Sequence, residues 1–200
     1  MNKILRILIL TALISAFQPG VPASAETVEP MVPFFTLKEA VAKLLPNAKK
    51  LTQRDIVLDG ERLNRLRQLK NWDTGETRFT LYHARNEKGK ITGALVIFPE
   101  PTVQGPLVLA VALSNEGRVT EALLMEAGNK TADRLLPLLR AGYMQTFAGK
   151  DKDMKLVLDK KFKGQEFSPI AQTYALHIAN AVKKSAQLFD ALFKKKRSSP

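Results

Sequence analysis

This 200-residue chain shows little of the catalytic equipment that enzymes use, since no pairing of a nucleophile with a base is visible in its sequence. The chain has no cysteine, which excludes cysteine nucleophiles, thiolate metal sites and disulfide scaffolds. Its two histidines, His83 and His177, lie far apart in the sequence, so we expect no multi-histidine metal site. His83 shares a predicted strand face with Phe79 and Leu81, and His177 lies beside the apolar stripe of the last predicted helix. We therefore interpret both as structural residues that are satisfied within the fold, not as catalytic bases.

The charge of the chain points to an anionic partner without identifying it. Lys and Arg number 31 against 19 Asp and Glu, a net charge of +12. Nucleic acid, a phosphate group or an acidic protein would each suit this excess. Two Lys-rich stretches, 150–163 and 194–197, fit either a solvated face with a basic tail or a docking surface for an acidic partner. No GxSxG, HExxH or Walker motif occurs.

The first 25 residues have the pattern of a secretory signal peptide. Lys3 and Arg6 precede a short uncharged apolar run, and Ala23 and Ala25 supply small residues for cleavage after Ala25. A retained anchor is the alternative, but the run is short for a bilayer core of about 30 Å. Export to the periplasm disfavours nucleic acid as the partner. The predicted organisation is a signal peptide (1–25), an extended linker (26–35), one domain (36–194) and a basic tail (195–200).

The elements that must position any site alternate between helices and hairpins. A capping box at Thr36 and Glu39 predicts the start of the first helix. The almost wholly apolar run 106–113 predicts a central strand covered on both faces. The expected fold is α+β, an antiparallel twisted sheet of two hairpins packed against three or four helices. The predicted hairpins are 78–86 with 91–98 and 106–113 with 119–125; the helices are 36–45, 60–70, 131–147 and 168–194; a loop is predicted at 127–130 and short strands at 55–58 and 155–158.

The order of these elements resembles that of the small exported FMN-binding domain family. Relatives in that family include the flavin-carrying subunits of the sodium-translocating quinone reductase and of the related ferredoxin-linked electron-transport complex. The resemblance covers about residues 37–182. The segments that carry it are 37–48, 105–113, 117–119 and 145–150. None of them is diagnostic individually, and the specificity comes from their order and spacing.

The family's attachment motif is only partly kept. The motif is an Asp, then Ser-Gly-Ala-Thr, then a helix with a Val and an Ala-Val pair, and its Thr takes the FMN phosphate as a phosphoester. With Ile178 and Ala181-Val182 on the helix positions, Gln172 stands in place of the acceptor Thr, and Pro169 and Ile170 replace the Ser and Gly. An amide cannot form the ester, and Thr173 is a hydroxyl one place late. The cofactor-binding residues that the resemblance implies are Gly128, Asn129, Lys130, Glu166, Ser168, Ala171, Gln172 and Thr173.

The resemblance implies a periplasmic, membrane-associated protein of electron transfer or flavin handling. FMN would be held without a covalent bond, and a redox partner would lie at or near the inner membrane. Such a chain is an electron-transfer or binding protein more than a stand-alone enzyme. The alternative is a flavin-free accessory subunit that docks an acidic partner protein through its basic surface. Neither reading requires a metal or nucleic acid.

Overall fold

Six antiparallel strands form one open sheet in the order β1-β6-β5-β4-β3-β2. The computed structural model describes residues 29–72 and 75–193. The predicted signal peptide 1–25 and basic tail 195–200 therefore lie outside the described residues. Each strand from β2 to β6 pairs with its neighbour, and β1 closes the far edge by pairing with β6. The strands are β1 Met31–Pro33, β2 Lys50–Val57, β3 Arg78–Arg85, β4 Ile91–Glu100, β5 Leu107–Ser114 and β6 Val119–Gly128.

Helices cover the two faces of the sheet unequally. α1 (Leu37–Leu44) packs on one face, against a small apolar cluster that includes Leu95, Ala110 and Leu123. The other face carries the main core, which is closed by α4 and by shorter helices. The bounds of these helices are α2 Gly60–Arg67, α3 Asn129–Arg140 and α4 Pro169–Phe193, with 3₁₀ turns at Met144–Phe147 and Lys160–Phe162.

The predicted α+β fold is confirmed, and two local predictions hold in detail. In β5, Ala110 and Val111 point to opposite faces and both have no accessible surface, as expected of a central strand covered on both sides. The capping box is present: Thr36 Oγ1 accepts from the Glu39 amide at 3.3 Å, and the Thr36 amide donates to Glu39 Oε2 at 2.7 Å. Hydrogen bonds donated by the Thr36 amide and hydroxyl to the Glu39 carboxylate lower the pKa of Glu39.

Several predicted boundaries were wrong. The loop at 127–130 does not exist, because β6 runs to Gly128 and α3 begins at Asn129. The helix predicted over 131–147 ends at Arg140, where Gly142 adopts a φ of 84°. The Gly142 amide donates to Leu139 O and the Tyr143 amide to Leu138 O, which is a Schellman ending.

The edges of the sheet account for the remaining differences. The segment interpreted as a linker at 26–35 contains β1, and the strand predicted at 55–58 is the longer β2 at Lys50–Val57. The predicted strand at 155–158 is wrong, because these residues are not in strand conformation and pair with none of the six strands.

Candidate functional site

Gln104, in the loop between β4 and β5, contacts α3 and α4 close to the two segments that were expected to bind a cofactor. Gly128 is the N-cap of α3, and a Cβ added there would lie 3.4 Å from Gln104 O and collide with the Glu29 carboxylate. From α4, Tyr174 donates its hydroxyl to Gln104 Oε1 at 2.8 Å. From α3, Arg134 Nη1 reaches the same oxygen at 3.4 Å. Gln104 thus links α3 and α4 near their starts.

The polar side chains at the start of α4 are engaged within the helix itself. Ser168 Oγ accepts from the Ala171 amide at 3.2 Å, which is an N-cap bond. Gln172 Nε2 donates to Phe167 O at 2.9 Å, and Thr173 Oγ1 donates to Pro169 O at 3.0 Å. Thr173 is exposed on a different side of the helix from Gln172, since consecutive residues turn by about 100°. The residues present therefore do not fit a phosphoester link to FMN.

The start of α3 is covered by the residues that precede β1. Glu29 Oε1 accepts from the Lys130 amide at 3.0 Å, and Pro30 O accepts from the Asn129 amide at 3.1 Å. A carboxylate is favoured at this position because the helix dipole is positive there. Glu29 Oε2 and Thr131 Oγ1 are buried and have no hydrogen-bond partner within the described residues. Lys130 itself is exposed, and so is Glu166 in the turn before α4.

A buried ion pair lies next to this face, where β4 ends against α4. Lys184 Nζ donates to Glu100 Oε2 at 3.0 Å and to Oε1 at 3.2 Å, and both residues are almost fully buried. Asn180 Nδ2 donates to Glu100 Oε1 at 2.9 Å. The carboxylate is thus held by two donors from one helix, as a buried charge requires.

The ion pair is part of a longer row of polar groups. His177 Nδ1 lies 3.9 Å from Glu100 Oε1. A third of the His177 side chain is exposed, so the row reaches solvent at this residue. At the other end Asn71 Nδ2 donates to Asn180 Oδ1 at 3.2 Å and to Gln187 Oε1 at 3.0 Å. We call this row the polar seam; its members are Asn71, Glu100, His177, Asn180, Lys184 and Gln187.

Sequence reasoning missed the polar seam, although one signal for it exists. His177, Asn180, Lys184 and Gln187 follow each other at intervals of three, four and three along α4. This spacing places polar groups on one face of a helix whose remaining buried positions are apolar apart from Ser185. His177, interpreted from the sequence as a structural residue, lies at the edge of the core, where its imidazole faces a buried carboxylate and solvent.

His83 is buried as predicted but is not satisfied. It is 2% exposed, and neither ring nitrogen has a hydrogen-bond partner within the described residues. Its ring meets Phe193, at the end of α4, edge to face with centroids 5.1 Å apart. Burial, together with the positive charges of Arg54 and Arg85, lowers the pKa of His83.

Comparison with known proteins gives no family for this chain. Neither protein-family models, nor curated proteins, nor solved structures give a significant match. Across 29–72 and 75–193, no helix has the length and apolar character that crossing a membrane needs. Within the same residues, no three His, Asp or Glu side chains are grouped so that they could hold a metal ion.

Proposed function

We propose that the chain is an exported, periplasmic protein of FMN-binding-domain type that holds FMN without a covalent bond. Its role would be electron transfer or flavin handling, with a redox partner at or near the inner membrane. The observation that carries the proposal is the position of Gln104, which lies close to Gly128 of one expected cofactor segment and bonds to Tyr174, next to the other, beside the polar seam.

The residues at this face suit a flavin phosphate by charge, and two aromatic side chains lie nearby. Lys130 and Arg134 supply two cations on the first turns of α3, and their side chains suit a phosphate. The ring of Tyr174, which is buried, and that of His177, which is a third exposed, have centroids 6.3 Å apart. The Gln104 amide nitrogen is a donor, whereas its oxygen already accepts from Tyr174 and Arg134. When bound, FMN would supply one- or two-electron transfer. The chain's own residues bind and orient it.

A titration with FMN, followed by flavin fluorescence, tests the proposal. The wild-type chain should quench the fluorescence, and Arg134→Glu should weaken binding at least tenfold, or about 1.4 kcal/mol. Arg140→Glu is the matched control, because it makes the same charge change at the exposed far end of the same helix. Wild-type protein that leaves FMN fluorescence unchanged would contradict non-covalent FMN binding.

The absence of a covalent link is a separate expectation. Co-expression with a flavin transferase should add no FMN mass to the chain, because Gln172 offers no hydroxyl and Ser168 and Thr173 are engaged in the helix. Changing Glu166→Asp, Pro169→Ser, Ile170→Gly and Gln172→Thr together should restore labelling. FMN found on Thr173 by peptide mapping of the native chain would overturn this part.

A flavin-free binding subunit is the second candidate function, and one observation favours it. The amides at the starts of α3 and α4, where a phosphate would be bound, already donate to Glu29 and Ser168. Purified protein without the visible absorption of a flavin, and without affinity for added FMN, would select this candidate.

A further inference from the structure

The two edges of the sheet are finished differently. On the β6 edge, β1 pairs with the end of the strand, Phe34 and Phe35 donate to Met125 O, and residues 149–150 bond to Val119. On the opposite edge, β2 pairs with β3 on one side only. Among the described residues, no backbone group of β2 bonds to anything beyond β3. Half of the amides and carbonyls of this strand therefore point to solvent.

The open edge is long and partly apolar. β2 has eight residues, which at about 3.3 Å per residue extend over roughly 26 Å. Most of its side chains are exposed, including Leu51 and Val57, which is 62% exposed. Near its end lies a cavity of about 240 Å³, lined by Ile56, Val57, Leu192 and Phe193 together with Arg54, Asp55 and Arg62. An apolar side chain with a neighbouring carboxylate suits such a lining.

The edge is also strongly basic. Residues 49–70, which form β2 and α2 with their flanks, contain seven Lys or Arg and three Asp or Glu. Two of the acidic side chains have structural roles: Asp55 accepts from Thr80 at 2.8 Å, and Asp59 caps α2 by accepting from the Arg62 amide at 2.8 Å. Arg54 is exposed and has no ion pair within the described residues.

We propose that the β2 edge docks an extended acidic segment of a partner protein, which adds to the sheet as a seventh strand beside β2. Main-chain hydrogen bonds would supply affinity, and the basic side chains with the cavity would supply selectivity. Charges on an edge strand disfavour pairing of two copies, since each copy brings the same positive segment. They favour an acidic strand for the same reason. This proposal does not depend on FMN.

The test uses an acetylated, fluorescent eight-residue peptide in which Glu and Val alternate, matched in length to β2. We expect it to bind the full chain at low ionic strength and to slow hydrogen exchange of the amides in 50–57. Arg54→Glu should weaken binding at least tenfold, while Lys160→Glu, the same charge change on the distant second 3₁₀ turn, should leave it unchanged. A peptide with Lys in place of Glu should not bind.

Each other outcome overturns the proposal. Failure of the Glu-Val peptide to bind removes the site, and equal binding of the Lys-Val peptide removes the charge selectivity. Binding without slower exchange in 50–57 excludes strand addition. A dimer in sedimentation that Arg54→Glu strengthens would make a second copy the occupant instead of an acidic partner.

Discussion

α4 buries titratable side chains against the sheet at two places, and the two places are built in opposite ways. Near the middle of the helix, Glu100 and Lys184 satisfy each other, and Asn180 adds a further donor. Near its end, His83 lies under Phe193 with no hydrogen-bond partner within the described residues. A buried charge survives only with partners, whereas a buried imidazole can discard its charge and remain neutral. The Glu100–Lys184 site therefore keeps its charges, whereas the His83 site excludes charge.

The largest effect should come from breaking the charged site. Lys184→Met leaves the Glu100 carboxylate buried without its cation, which typically costs about 3–5 kcal/mol of unfolding free energy. Urea denaturation measures this loss. Lys183→Met, at the neighbouring and half-exposed position, should stay within about 0.5 kcal/mol of wild type. A Lys184→Met chain as stable as the Lys183→Met chain would show that the ion pair is not held as described.

Removing both charges should cost much less than removing one. With Glu100→Leu and Lys184→Met together, neither desolvated charge remains, and the stability should return to within about 1–2 kcal/mol of wild type. The remaining cost arises because Asn180 Nδ2 loses its acceptor. A double-mutant cycle in urea measures the coupling. Losses of the two single variants that simply add would show that Glu100 and Lys184 act independently.

Local features of the fold could be predicted from the sequence, whereas the buried charged site could not. The capping box at Thr36 and the two-sided strand β5 are local patterns, and both were predicted because the pattern itself requires the structure. The Glu100–Lys184 pair joins residues far apart in the chain, and only the packing of α4 across the end of β4 brings them together. The spacing on α4 predicts a polar face but not its partner.

Edge strands were the second feature that the sequence did not predict correctly. β1 is three residues long and bounded by Pro30 and Pro33, so it has no pattern of its own, and it is a strand because β6 offers it an edge. Residues 155–158 have the alternation of a strand but pair with none of the six strands. The residues expected to bind a cofactor were inferred from the family resemblance and the order of elements alone. The engagement of Ser168, Gln172 and Thr173 within α4 needed side-chain geometry.

Tyr143 provides an intermediate case between the two sites, because it is buried, neutral and satisfied. Its hydroxyl donates to Ala175 O on α4 at 2.6 Å, and burial raises its pKa, so it stays neutral. Tyr143→Phe removes one neutral hydrogen bond and should cost about 1 kcal/mol in thermal or urea unfolding. Tyr82→Phe is the control, since the Tyr82 hydroxyl makes no hydrogen bond within the described residues. Equal losses in the two variants would assign the effect to packing.

The smallest effect at neutral pH should come from His83, and its sign should be reversed. His83→Leu replaces an imidazole whose nitrogens are unsatisfied, so the free energy of unfolding should be unchanged or higher by up to about 1 kcal/mol.

The effect of His83 should appear as the pH falls. Because its pKa is lower in the folded chain than the ordinary 6.5, the unfolded chain takes up the proton first. The neutral imidazole therefore contributes its full stability above about pH 6.5, and that contribution is lost as the pH falls towards the folded pKa. Between pH 7.5 and pH 5 the melting temperature should fall more for wild type than for His83→Leu, since the variant has no imidazole to protonate. An equal fall in both chains would show that His83 is hydrogen-bonded or reaches solvent in solution. His83 would then not be a site that excludes charge, and its contrast with the Glu100–Lys184 pair would not hold.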